Sequence, residues 1–154
     1  MFDPPVETLP VWVGLAVAGL AMFGLATSLP TATPDATPVA ATVDAVAASD
    51  HEATGEHPVA ADAVVLEPRR LTVRRNGETA HAELRYGPVT PVARASVLHR
   101  VLRGVPPARL FDSPAALERA VERARERTPV TVRSDRVVVR RVEWGETSVT
   151  LVGA

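Results

Sequence analysis

The feature that most constrains this chain is an uncharged run of nineteen residues at positions 11–29, VWVGLAVAGLAMFGLATSL. At about 1.5 Å rise per residue, a helix of that length covers about 28 Å, close to the ~30 Å hydrocarbon core of a bilayer. Thr8 and Pro10 suit the start of such a helix, Trp12 suits the water interface and Pro30 ends it. The alternatives are a buried core helix and a cleaved signal peptide. The latter calls for a positive leader, whereas MFDPPVETLP carries Asp3 and Glu7 and no arginine, and no small-x-small cleavage site follows promptly. The expectation is therefore a single transmembrane helix at 11–29 behind an acidic tail at 1–10. Gly14 and Ala18 form a small-xxx-small pair suited to packing on another membrane helix. No Lys or Arg lies within about 20 residues of either end, so the positive-inside rule gives no orientation. The Thr/Pro/Ala stretch after the run has the composition of an extracellular stalk, which places the carboxyl side outside the cytoplasm.

Residues 30–62 open with PTATPDATP and read as a Pro/Thr/Ala linker, with a short helix over 38–48 carrying Val39, Val43 and Val46 on one stripe. Beyond it, residues 63–154 read as a basic α+β domain. Asn76-Gly77 marks a two-residue hairpin turn. Pairing Arg75 with Glu78 then sets Val73 opposite Ala80 and Leu71 opposite Ala82, with Thr72 opposite His81 and Arg70 opposite Glu83. A helix is expected from 91 to 103, capped by Thr90, burying Val97, Leu98, Val101 and Leu102, and stopped by Gly104. A second follows Ser113 and Pro114, with Leu117, Ala120, Val121 and Ala124 as its apolar stripe and a solvated Glu/Arg face opposite. The runs VTVRS, RVVVRRVEW and TSVTLV read as a second antiparallel unit. The order ββααββ(β) implies a small antiparallel sheet with two helices on one face.

Charge is unevenly placed. All 17 arginines fall in 63–154 against ten acids, a net +7, while residues 1–62 carry eight acids and no arginine. The Arg pairs Arg69/Arg70, Arg74/Arg75 and Arg140/Arg141 would form a basic strip if the two β units joined in one sheet, giving a candidate surface for an anion or a partner. The blander reading is that arginine does the work of the absent lysine on an ordinary surface. Nucleic acid is not expected, since stacking aromatics are scarce: Tyr86, Phe111 and Trp144 are the only ones in that region. The absence of cysteine removes disulfides and thiolate sites. The cluster from Asp50 to His57 holds two imidazoles and three carboxylates, but the position four after His51 is Gly55, and a solvated linker is the better reading than a metal site. His81 and His99 stand alone. No nucleophile elbow, phosphate-cradling loop or dinucleotide fingerprint is present, so neither an enzyme nor a bound cofactor is expected.

The leader MFDPPVETLPVWVG, the phrase ATVDAVAAS, the stretch RYGPVTPV, the segment RVLRGVPPARLFDSPAAL and the end VEWGETSVTLVGA together resemble an uncharacterised haloarchaeal family of small single-pass membrane proteins. That resemblance covers nearly the whole chain. It implies a component encoded beside type IV pilus-like or Tad-like secretion machinery, and an unprocessed accessory subunit rather than a filament pilin, since the basic leader and processing site of a pilin are missing. The resemblance supplies no catalytic residues. The reading is a non-enzymatic, membrane-anchored accessory or pseudopilin-like component, partnered by the bilayer and by other membrane or appendage proteins. The rival is a membrane-anchored anion-binding or sensory module.

Overall fold

The computed structural model describes residues 33–154. In chain order their elements are α1 (Thr37–Ala47), β1 (Ala53–Pro58), β2 (Ala63–Leu66), β3 (Arg70–Arg75), β4 (Glu78–Glu83), β5 (Thr90–Pro91), α2 (Val97–Leu102), a 3-10 turn (Pro107–Arg109), α3 (Pro114–Glu126), β6 (Val130–Val132), β7 (Arg136–Trp144) and β8 (Thr147–Gly153). The described residues are mixed α+β, with three α-helices and two four-stranded sheets. One sheet runs β1-β7-β8-β5 and the other β4-β3-β2-β6. The uncharged run at 11–29 lies outside the described residues, among which no helix is long and apolar enough to cross a membrane.

Strand β7 explains the layering. Its Val137 and Val139 belong to one core cluster, Val138 and Val142 to another. Alternate residues of a strand face opposite sides, so the sheet containing β7 is covered on both. On one side lie α2 and α3, contributing Leu98, Val101, Leu102, Leu117 and Val121. On the other lie α1 and the inward residues of the second sheet: Val39 and Val43, then Val64, Leu66, Leu71, Val73 and Val132. A strand buried on both faces has no polar face to show, which is why the RVVV run lacks the usual alternation.

Local signals locate several elements. Asn76 (φ 51°) and Gly77 (φ 80°) both take the left-handed backbone that a type I′ turn needs, and the β3–β4 ladder has the register that the turn imposes, Arg75↔Glu78 through Arg70↔Glu83. Ser113 caps α3, accepting a hydrogen bond from the Ala116 N–H at 3.2 Å, with Pro114 opening the helix and Leu117, Ala120 and Val121 buried. At the start of α1 the Asp35 carboxylate accepts from the Thr37 N–H at 2.9 Å, and hydrogen bonding from Thr37 holds its pKa below the ordinary value.

Three expectations differ from the structure. First, the segment read as a linker is part of the domain. The folded unit spans Thr33–Ala154; α1 buries Val39, Ala40, Val43, Val46 and Ala47, and β1 pairs with β7 along its whole length. Pro and Thr at its start disguised a stretch whose burial depends on a distant strand. Second, there are two sheets rather than one. β6 leaves β7, its neighbour in sequence, and pairs with β2, Val132 opposite Val64.

Third, the helix expected over 91–103 is only six residues long. Thr90 and Pro91 form β5, parallel to β8. A residue before proline disfavours helical backbone, and the missing proline N–H is tolerated at the end of a sheet. Ser96, in extended backbone, precedes α2, and Gly104 (φ 107°) follows it. The shift turns Val97 outward, leaving it 40% exposed rather than buried.

The fit of α1 on β1 turns on Gly55. A Cβ there would meet Val46 Cγ2 at 2.8 Å and Thr42 Cγ2 at 3.3 Å. Both are methyls of β-branched side chains, stiff at χ1 in a helix. Gly55→Ala is therefore expected to destabilise the domain by about 1–3 kcal/mol, as overpacking of a closed core does. A lowered urea midpoint with unchanged slope checks this.

Candidate partner-docking site

The six arginines of the expected strip do not come together. Arg70, Arg74 and Arg75 lie on β3, with Arg69 just before it, while Arg140 and Arg141 lie on β7 in the other sheet. Adjacent residues of a strand also point to opposite faces, so neither Arg74/Arg75 nor Arg140/Arg141 presents two guanidinium groups side by side. Arg140 turns to the α2 side, where its Nη1 donates to the Val101 carbonyl at 2.8 Å; Arg141 turns to the α1 side, where its Nη1 donates to the Ala47 carbonyl at 2.9 Å. Each carbonyl lies in the last turn of its helix, where the dipole favours a cation; the Val101 carbonyl accepts from the Gly104 N–H at 3.0 Å as well. Arg141 Nε lies 3.5 Å from Glu143 Oε1 without a hydrogen bond. On β3, the exposed Arg70 pairs with Glu83 at 2.7 Å, and that contact raises its pKa further.

The acids of residues 33–62 answer the charge imbalance. Asp44 on α1 accepts from the Arg85 N–H at 3.0 Å and the Tyr86 N–H at 3.1 Å. Glu56 pairs with Arg136 at 3.2 Å, Asp62 accepts from the Asn76 N–H at 2.7 Å, and Glu52 accepts from the Glu143 N–H at 3.3 Å. Over residues 33–154 the count is 17 arginines to 16 acids, so the net +7 of 63–154 falls to +1 once the whole folded unit is taken.

Three of the four histidines are engaged as well. His57 Nδ1 is 2.9 Å from Thr42 Oγ1, joining β1 to α1, and His81 Nδ1 is 2.9 Å from Thr72 Oγ1 across the hairpin. His99 Nε2 is 3.1 Å from the Ala154 carbonyl. Among the described residues no group of three or more His, Asp or Glu converges on a point where a metal ion would sit. The stretch from Asp50 to His57 is largely strand β1, whose alternation sends Glu56 and His57 to opposite faces.

The charged face of α3 also holds a residue with a structural duty. Arg125 Nε donates to Thr90 Oγ1 at 3.1 Å and its Nη2 to the Pro88 carbonyl at 2.9 Å, with burial pushing its pKa down. This ties α3 to β5, although the helical pattern alone assigns Arg125 to the solvated face.

A groove between α2 and α3 is a surface feature without such a duty. Its volume is about 270 Å³; Pro91, Ala93, Val97, Leu98, Ala120 and Ala124 make its apolar part, with Arg123 and Arg127 also in its lining. Ala93 and Val130 also line a second hollow of about 300 Å³ along β6, with Arg94 and Arg133. Among the described residues no Asp or Glu lines either hollow. The sequence signal was available in part: Val97 is an apolar residue at a helix start, and no carboxylate lies between 127 and 134.

Residues 3–142 match DUF7283, a family of unknown function. The chain belongs to that family. The DUF7283 match takes in the uncharged run at 11–29, the groove arginines and the Arg140/Arg141 pair, and ends within β7. No curated protein and no solved structure matches the chain.

The helix-end contacts predict a specific ranking. Arg141→Ala leaves the Ala47 carbonyl without its charged donor and should cost about 1–3 kcal/mol, as loss of a hydrogen bond from a charged group does. Arg133→Ala, which removes an exposed groove cation, should change stability by less than about 0.5 kcal/mol. Chemical denaturation of the two variants side by side checks the ranking; equal effects would refute the structural role of Arg141.

Proposed function

We propose that this chain is a non-enzymatic, membrane-anchored accessory component of a surface-appendage or secretion system, with residues 11–29 as the anchor and the α+β domain as an extracytoplasmic docking module. One observation carries this reading. His57, His81 and His99, several of the domain's acids and the arginines of β7 are tied into the fold, whereas the groove between α2 and α3 exposes apolar side chains beside arginines that hold no other described residue in place. A pocket built for catalysis converges titratable groups on one point. A docking surface instead combines an apolar floor with a polar rim, as this groove does.

The length and lack of charge of the 11–29 run support the anchor. The resemblance to a haloarchaeal family linked with pilus-like machinery supports the accessory role. The near balance of charge over the folded unit weighs against a general anion-capturing module, whose attraction would come from a broad excess of one sign.

Deletion of the gene in its native host is expected to impair filament assembly, secretion or adhesion, and complementation by the intact chain to restore it. Complementation by a chain lacking residues 11–29 should fail. Filaments, secretion and adhesion all unchanged in the deletion strain would overturn the proposal.

A further inference from the structure

Among the described residues strand β6 is the outermost strand of its sheet, paired only with β2, Val130 opposite Leu66 and Val132 opposite Val64. Alternate backbone N–H and C=O groups of such a strand face away from the sheet and remain available to a further strand. Thr131 and Arg133 are exposed, and the hollow beside β6 continues through Ala93 and Val130 into the apolar groove between α2 and α3. Arg94, Arg123, Arg127 and Arg133 line this continuous channel; all four are exposed, and none makes a side-chain hydrogen bond or ion pair with another described residue.

We infer that the channel receives an extended, acidic segment of a partner protein, which adds as a strand to the free edge of β6. The inference rests on the docking reading above and names the partner's chemistry. Backbone pairing to β6 supplies affinity without regard to sequence, and alternate side chains then meet different surroundings. Those on one side enter the apolar part formed by Val97, Leu98, Ala120 and Ala124. Those on the other reach the guanidinium groups, which bind carboxylates bidentately. With four arginines and no carboxylate along the channel, charge selects an acidic partner and repels a basic one. The same arginines also deter strands of identical copies from stacking on the edge, since each copy would bring its own cations.

The test uses the full chain in detergent micelles and three synthetic peptides: alternating valine and glutamate, alternating valine and lysine, and the valine–glutamate peptide N-methylated at every residue so that neither of its edges can donate to a ladder. Fluorescence anisotropy is expected to show binding of the first peptide alone. The double variant R123A/R127A should bind it about tenfold more weakly, in line with the loss of two charge-assisted contacts. Circular dichroism of that variant should match the parent, because both arginines are exposed. R69A/R74A, outside the channel, serves as the charge-matched control and should bind as the parent does.

Equal binding of the N-methylated peptide would overturn strand addition, and equal loss in R69A/R74A would reduce the effect to general charge attraction and overturn the channel. Self-association of the chain that is relieved by the valine–glutamate peptide would identify a second copy as the occupant and overturn the acidic-partner assignment. No binding of any peptide would overturn the inference while leaving the accessory role standing, since that role is judged by the deletion phenotype.

Discussion

The architecture depends on burial of β7 from both sides. Val137 and Val139 fill the space beneath α1 and the second sheet, and Val138 and Val142 fill the space beneath α2 and α3. Each apolar layer is thin, because valine and alanine supply much of it, and neither layer closes without the other elements in place. The β7 arginines extend the same alternation into polar contacts. Arg140 reaches a helix terminus on one face and Arg141 a helix terminus on the other, so one strand holds both helical layers through side chains that are adjacent in sequence. An arginine is suited to this duty, since its stem packs along apolar surface while its fixed fork of donors reaches a carbonyl.

Residues 33–62 are opposite in charge to residues 63–154 and complete their fold. Asp44, Glu52, Glu56 and Asp62 serve backbone amides or cations contributed by the β3–β4 turn, β7 and the loop after β4. Many of these contacts are exposed and individually weak. Their collective consequence is compositional: the folded unit is nearly neutral, although its longer part read alone is strongly basic. A partner surface therefore has to be sought in the local arrangement of charge, and the channel along β6 is where arginines gather without carboxylates among them.

Much of the local structure was legible in the sequence. Asn76-Gly77 fixed a hairpin and its register, because two left-handed residues in a two-residue turn leave a single pairing. Ser113-Pro114 fixed the start of α3, because a side-chain acceptor followed by a residue without an N–H suits a helix N-terminus. The stripe of Val39, Val43 and Val46 identified α1, although its flanks read as a spacer. The candidate site was much less legible. The arginine doublets suggest a strip, whereas strand alternation separates Arg74 from Arg75 and Arg140 from Arg141, a consequence of the period of two once β7 and β3 are recognised as strands.

By itself, then, the sequence determined turns, caps, strand faces and the uncharged run, all of which arise from backbone preferences and side-chain periodicity within a few residues. Only the tertiary structure decided that β6 pairs with β2, that β5 lies parallel beside β8, that β1 belongs to the sheet, and that Val97 is left open beside a free strand edge. Those outcomes join residues as far apart as Val64 and Val132. They are settled by competition among all the apolar faces for cover, and no local pattern carries the result of that competition.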